Sequence, residues 1–316
     1  MNTNILGAGM AGLLAANMMR RKKPLVVEAK SELPDLHKAV LRFRNTSVSE
    51  VTGIPFEKIR VDKSMMTDRG FVEKPTVYDA NNYSLKATGG LENRSVWNLD
   101  QAVRYLAPDN FVELMASSTK INFGIKVGLG DIKSFNEEGD LTISTIPMPI
   151  MMKIVGWDTK IDFKANCKPI WVIRATIQRP LSKIHQTIYN TDIGTPWYRG
   201  SIHKGDLMIE CDVDPTTALY WVVENFVSCL FSLPMNQVVL SEPTCHKQPL
   251  GKILSVDDSE RKDFIWHLTQ EYNIYSLGRF ATWRNLLLDS VVSDVRVIEK
   301  LSGTSSYNHN QKQNNK

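Results

Sequence analysis

Apolar residues along the chain fall into short runs that predict alternating strands and helices. At the N-terminus, Ile5-Leu6 leads into Gly7-Ala8-Gly9-Met10-Ala11-Gly12, and Leu13, Leu14, Ala15, Ala16, Met18 and Met19 follow with helical character. A cationic break, Arg20 to Lys23, precedes Pro24-Leu25-Val26-Val27, which reads as a second buried strand ending at Glu28. Val40, Leu41 and Phe43 predict a short strand with basic residues Lys38, Arg42 and Arg44 around it. Glu50 to Met66 reads as helix and loop, and Met66 to Tyr83 as short strand candidates among turn formers. Leu99 to Leu106 and Asn110 to Ser117 read as helices, Ile121 to Val127 and Leu141 to Ile146 as strands, and Met148 to Val155 as a helix. Beyond these, Pro169 to Gln178, Ile184 to Tyr189 and Met208 to Val213 suggest a second sheet. Trp221 to Ser232 reads as helix, and Lys252 to Leu254 and Asn273 to Ser276 as short strands. Leu286 to Leu301 closes the pattern as a helix with Val291, Val292, Val295 and Ile298 on one face, and the polar tail from Gly303 is expected to be disordered.

The N-terminal glycines gain meaning from their context. Gly7 permits a tight turn off the first strand, Gly9 lets backbone approach a pyrophosphate, and Gly12 allows close packing of the helix. Met10 and Ala11 open that helix, whose free N–H groups and positive dipole end suit an anion. Glu28 stands where a dinucleotide fingerprint places the acid that accepts hydrogen bonds from ribose hydroxyls. The competing reading is a glycine-rich turn in an unrelated α/β protein. Lys38, Arg42 and Arg44 either neutralise the pyrophosphate or decorate a solvated edge strand; Arg20 to Lys23 reads as a solvated helix end.

Composition narrows the classes. A chain of 316 residues can bury a large core as one composite domain or two. The net charge of +4 and pI near 8.7 favour anionic substrates, yet fall short of a nucleic-acid footprint. Cys167, Cys211, Cys229 and Cys245 show no C-x-x-C pair and no metal spacing, so buried thiols in a reducing compartment are expected, with no metal. No secretory signal is read at the N-terminus, and Leu219 to Leu233, interrupted by Glu224 and Asn225, is too short to span a bilayer. That segment reads as a core helix, with membrane-surface contact the alternative, and a cytoplasmic protein is expected.

Tyr275-Ser276-Leu277-Gly278-Arg279-Phe280-Ala281-Thr282-Trp283 resembles the second flavin-binding signature of the FAD proteins that include amine oxidases, protoporphyrinogen oxidase and UDP-galactopyranose mutase. Ile143-Ser144-Thr145-Ile146-Pro147 resembles the family's segment that precedes its substrate domain. The resemblance implies an α/β fold: a Rossmann-like FAD-binding domain assembled from residues 1–45, 119–156 and 270–302, and an α+β substrate domain on a second sheet from 46–118 and 157–269. It also implies FAD contacts from Thr145, Gly278, Arg279 and Phe280, and from Val127 at the end of its strand to the adenine. Gly124, Gly128 and Gly130 have the wrong spacing and no predicted helix behind them, so no second dinucleotide site is expected. The chain departs from the family at Ser31-Glu32-Leu33-Pro34, where a Gly-Gly pair is usual. It departs again at Arg42 to Thr46, where the mutases carry a histidine segment, and at Ala281, Thr282 and Trp283, where they carry tyrosines.

By resemblance, the chemistry is oxidation of an amine C–N bond by hydride transfer to flavin N5, on a small-molecule or nucleotide-linked anionic substrate, with nucleic acid as a further candidate. The alternatives are a mutase-like reaction on reduced FAD and a non-catalytic binding module. Arg44 and Arg42 are candidates for an anionic substrate group or the flavin phosphate. Trp283 either walls the substrate against the ring or is a core tryptophan, and Lys252 is a candidate to approach N5 through a water. The six histidines are scattered and read as structural or exposed.

Overall fold

The computed structural model describes residues 2–33, 41–92, 96–137, 140–178, 185–231 and 239–314. In chain order the elements are β1 (Thr3–Leu6), α1 (Met10–Met18), β2 (Leu25–Val27), β3 (Arg42–Phe43), α2 (Ser47–Thr52), β4 (Glu57–Thr67), β5 (Gly70–Val72), α3 (Val77–Thr88) and β6 (Ala102–Leu106). Next come α4 (Phe111–Ser117), β7 (Ile121–Asn122), α5 (Leu129–Glu137), β8 (Leu141–Ser144), α6 (Met148–Val155), β9 (Cys167–Thr176), β10 (His185–Asn190) and β11 (Trp197–His203). The remainder are β12 (Asp206–Cys211), α7 (Leu219–Phe231), β13 (Thr244–Ile253), α8 (Asp258–Tyr272), β14 (Ile274–Ser276) and α9 (Leu288–Asn314).

The chain divides into two units, one from residues 1–57, 105–161 and 255–316, the other from 58–104 and 162–254. The first therefore takes in 46–57, 105–118, 157–161 and 255–269, which the sequence reading gave to the second. Packing explains the difference: Phe56 stacks on Phe43 at 4.9 Å, and Phe111 meets both rings edge-on at 6.0 and 5.3 Å.

The first unit is built on a sheet of order β14-β8-β1-β2-β7, with every pairing among the described residues parallel. β1 and β8 are buried along their whole length, as a sheet covered on both faces requires. From β1 the order runs to β2 and β7 on one side and to β8 and β14 on the other. Strand order thus reverses beside β1, and the crevice at the carboxyl ends there is where such sheets bind ligands. The core includes Ile5, Leu13, Leu14, Val26, Ile143 and Leu277, with Val291, Val292 and Val295 from α9.

The second unit carries a sheet of order β13-β9-β12-β11-β10-β4, antiparallel except where β10 meets β4, with β5 paired to β4. Ile173, Ile188, Ile202 and Ile209 form a core with Val222, Val223 and Phe226 of α7. A Cβ on Gly200 would lie 2.1 Å from the Phe226 ring, so the helix sits close because that position is glycine. β11 and β12 turn through Lys204 and Gly205, both at positive φ (53° and 110°), as a two-residue hairpin demands.

Several elements differ from the sequence reading. Most of Glu50 to Met66 is strand β4, where buried Ile59, Val61 and Met65 alternate with Lys58, Arg60 and Asp62, a period of two rather than a helical one. The helix expected over 99–106 is strand β6. The strand expected to reach Val127 stops at Asn122, and α5 does follow Gly128, whose N–H donates to Asp131 Oδ2 at 2.8 Å. Helices α3 and α8 were not anticipated; α3 starts at a capping box in which Thr76 and Asp79 each accept the other's backbone N–H. The α9 backbone stays helical to Asn314, across the polar stretch expected to be disordered; nothing after the lone Gly303 is a helix breaker. Of the cysteines only Cys211 is buried; the other three are half-buried.

Candidate functional site

At the carboxyl end of β1 the chain makes the turn its glycines predicted. Gly7 has φ +104°, and its N–H donates to Val27 O at 2.8 Å, tying the loop to β2. A Cβ on Gly7 would lie 2.4 Å from Thr145 Oγ1, and one on Gly12 would lie 2.0 Å from the carbonyl oxygen of Gly7. Both glycines are thus required by the protein's own packing. Gly9 is different: its backbone, at φ −68° and ψ 170°, suits any residue, and a Cβ there would meet nothing within 4 Å. No protein atom around this position requires it to be glycine.

Gly9 is also the N-cap of α1, with no side-chain cap and no acid in the first turn. The N–H groups of Met10, Ala11 and Gly12 therefore open the helix without a side-chain acceptor, the arrangement that receives phosphate. Glu28, 9 % exposed, accepts from Ala8 N–H at 2.8 Å through Oε2 and from Lys30 N–H at 3.0 Å through Oε1. A carboxylate has about four lone-pair sites, so each oxygen retains capacity for a ribose hydroxyl. These residues fit the adenosine diphosphate half of FAD.

The later motifs converge on this loop. Thr145 donates its hydroxyl to Leu6 O at 2.9 Å and Gly7 O at 3.3 Å, so it holds the turn in shape. Gly278, at φ +86°, follows β14, and a Cβ there would come within 2.7 Å of the Ala11 methyl. Arg279 lies over the Phe280 ring at 5.6 Å, and Phe280 O accepts from Met148 N–H at 2.9 Å, linking the motif to α6. Trp283 is 3 % exposed and holds φ 46°, an uncommon conformation for so large a residue that its packing must maintain.

The other candidates lie elsewhere. Val127 sits in the loop before α5 rather than at a strand end, although Ile125 N–H still donates to Glu28 O at 3.0 Å. Arg42 is on β3, and the exposed Arg44 donates its backbone N–H to Asp289 Oδ2 at 3.2 Å. Lys38 lies outside the described residues. Lys252 belongs to the second unit, where its ammonium is 3.2 Å from Glu210 Oε2.

That carboxylate is the hub of a cluster which the sequence reading missed. Glu210, 1 % exposed, also accepts from the Tyr198 hydroxyl at 2.5 Å and pairs with the Arg199 guanidinium through Oε1. Burial opposes its ionisation, but Arg199 and then Lys252 hold its carboxyl far below the usual range. Burial and the adjacent Glu210 push the Tyr198 phenol well up, so it remains a donor. A buried pair, His185 and His203, lies on the same sheet with Nδ1 atoms 2.7 Å apart. Their signal was faint: polar residues at every second position from Arg199 to His203, in a stretch not recognised as a strand.

No protein-family model matches the chain, and no curated protein matches it by sequence. Solved structures match by fold. A reduced UDP-galactopyranose mutase superposes with a TM-score of 0.67 at 13 % identity, covering 96 % of this chain and 94 % of the mutase. A CLA-producing fatty acid isomerase from P. acnes gives 0.57 at 10 % identity, over 95 % of this chain and 98 % of its own. A flavoprotein/dehydrogenase from Cytophaga hutchinsonii gives 0.50 at 10 % identity, over 96 % and 79 %. The chain therefore has the α/β fold of such flavoproteins, a parallel sheet joined in sequence to a second, mainly antiparallel one.

Proposed function

We propose that this chain is a FAD-dependent enzyme of the oxidoreductase type, which holds the cofactor's pyrophosphate at Gly7 to Gly12. The observation that carries this reading is the contrast among the three glycines: Gly7 and Gly12 are needed by neighbouring protein atoms, whereas open space beside Gly9 leaves room for a ligand. When bound, FAD would supply the redox chemistry of its isoalloxazine ring. The chain's own part in the first unit is to bind and orient. The α1 N–H groups take phosphate, Glu28 takes ribose, and Gly278 lets the Arg279 segment pack against the start of α1.

Within that reading we favour oxidation of an amine C–N bond, which rests on the resemblance of the Gly278-Arg279 segment to the amine oxidase signature. The mutase-like alternative on reduced flavin is favoured by a different observation, the fold likeness to the mutase over 94 % of its length. An absorption spectrum of the purified protein, followed by anaerobic addition of primary and secondary amines, separates the two. Flavin bands that bleach with an amine and return in air support oxidation. Bands indifferent to every amine, in a protein that binds a sugar nucleotide only after dithionite reduction, support the mutase. A colourless protein that cannot be reconstituted with FAD overturns both.

A further inference from the structure

We propose that Arg20, Arg21, Lys22, Lys23 and Lys120, together with the outward face of α9, form a docking surface for an anionic lipid membrane. The inference concerns the first unit alone and does not rest on the flavin reading.

The cations stand at the wrong end of the sheet to serve a nucleotide. Arg20–Lys22 form a 3-10 turn after α1, Lys23 follows, and β2 begins at Leu25. Lys120 precedes β7, and its carbonyl accepts from Val26 N–H at 3.3 Å. β1, β2 and β7 run parallel, so all five residues lie at the amino ends of the strands. The Gly7 to Gly12 loop is at the carboxyl ends, where such sheets bind ligands.

Local structure does not account for them either. The pull of a helix dipole on a cation fades within the last turn, and the last turn of α1 holds no basic residue. All five side chains are exposed. Arg20, Arg21, Lys23 and Lys120 form no ion pair among the described residues, and Lys22 lies 3.6 Å from Glu299 in a solvated pair. Lys23 holds φ 50°, so a lysine stands in the left-handed conformation that glycine adopts most easily. With Arg296 of α9, the surface sets six cations against Glu299, whereas the whole chain carries a net charge of only +4. The positive excess of the protein is thus concentrated at this one end.

Helix α9 adds an apolar component. Its inward stripe is Val291, Val292, Val295 and Ile298. At about 100° per residue, the surface turning away from that stripe passes from Glu299, on the Lys22 side, through Arg296 to Val297 and Leu301. Val297 and Leu301, one turn apart, are each 53 % exposed, and Arg296 is exposed beside them. Cations flanking an exposed apolar row suit a bilayer surface: the charges meet anionic headgroups while the apolar side chains enter the acyl boundary. A nucleic-acid duplex would reward the cations alone and leave Val297 and Leu301 in water. The pairing of the two features favours lipid.

The test is flotation of the full chain with vesicles of phosphatidylcholine alone and of equal parts phosphatidylcholine and phosphatidylserine. Binding to the mixed vesicles, weakened by salt and absent on phosphatidylcholine alone, is expected. Arg20→Gln with Arg21→Gln should weaken it about twentyfold, at about fivefold for each cation near the surface. Lys58→Gln with Arg60→Gln removes the same charge from exposed positions of β4 in the second unit and should leave binding unchanged. Val297→Ser with Leu301→Ser should weaken vesicle binding about tenfold, because less apolar surface leaves water. All these positions are exposed, so melting temperatures should stay at the parent's value. The proposal is overturned by any of four results: no binding to the mixed vesicles, equal binding to phosphatidylcholine alone, indifference to the Arg20 and Arg21 changes, or an equal loss from the β4 pair. Tighter binding of a DNA duplex than of mixed vesicles, lost with the arginines but kept without Val297 and Leu301, overturns it in favour of nucleic acid.

Discussion

Replacing the three fingerprint glycines one at a time should separate folding from cofactor binding. In Gly12→Ala the new methyl would lie 2.0 Å from the Gly7 carbonyl oxygen, a backbone atom that cannot rotate away. Relief needs α1 and its loop to part by about 1 Å or more, and overpacking of this kind costs about 1–3 kcal/mol, here at the upper end. For a unit of this size that lowers the melting temperature by about 6–12 °C. Gly9→Glu meets no protein atom within 4 Å, so its fold should survive, with a change of about 1 kcal/mol or less at the N-cap. Its side chain would instead fill the phosphate space and place a negative charge at the helix start. Losing two charge-assisted N–H bonds to pyrophosphate, at about 1.5–3 kcal/mol each, weakens FAD binding by about two to four orders of magnitude. Thermal melts of apo-protein and absorbance of purified protein read the two effects separately. Gly9→Glu that purifies with the parent's flavin content would refute the placement of pyrophosphate at this loop. Gly9→Glu as unstable as Gly12→Ala would refute the claim that the space is open.

Three further outcomes follow from the geometry. Arg279→Ala should keep the fold but weaken FAD or alter its reduction, and an unchanged visible spectrum and photoreduction would remove the C-terminal motif from the site. Lys86 is 8 % exposed and donates to Trp197 O at 2.7 Å and to Asp192 O; burial lowers its pKa from 10.5 to about 8. Between those values the unfolded chain holds the proton and the folded one does not, so stability relative to Lys86→Met should rise with pH from about 8 to 10.5, by roughly 3 kcal/mol in all. A flat difference in melting temperature across that window would contradict it. Thr76→Ala should destabilise by about 1 kcal/mol in denaturant melts, since it removes the cap that accepts Asp79 N–H at 3.3 Å; no loss would mean α3 does not depend on its capping box.

The parts of this molecule that could be read from sequence are those where one local signal decides the outcome. Gly7 to Gly12 between an apolar lead and a helical run, with Glu28 at the end of the next strand, leaves few conformations open, and the structure adopts the expected one. β4 was misread because its apolar positions, Ile59, Val61 and Met65, are separated by charged residues that suit an amphipathic helix equally well until neighbouring strands are known. β6 was misread as helix for a related reason: Ala102 to Leu106 is too short for periodicity to discriminate. Val127 was placed by analogy with a longer strand, and the chain leaves the sheet at Asn122.

The Glu210 cluster illustrates a deeper limit. Arg199, Glu210 and Lys252 stand on three strands, and nothing within any one strand marks them. Their meeting depends on the Lys204-Gly205 turn, which sets Arg199 opposite Glu210, and on β13 turning Lys252 toward the same carboxylate across an irregular stretch of its pairing with β9. A one-residue slip in the β11–β12 register would send these side chains to the face that packs α7, where neither charge could be buried. Glu210→Leu therefore tests register as well as charge: it removes the hub but fits the strand. If the pairing is specified by the turn and the apolar face alone, that variant keeps the sheet and loses only the contacts of Arg199, Lys252 and Tyr198 with the carboxylate. If the ion cluster helps select the register, hydrogen exchange along β11 and β12 rises with it.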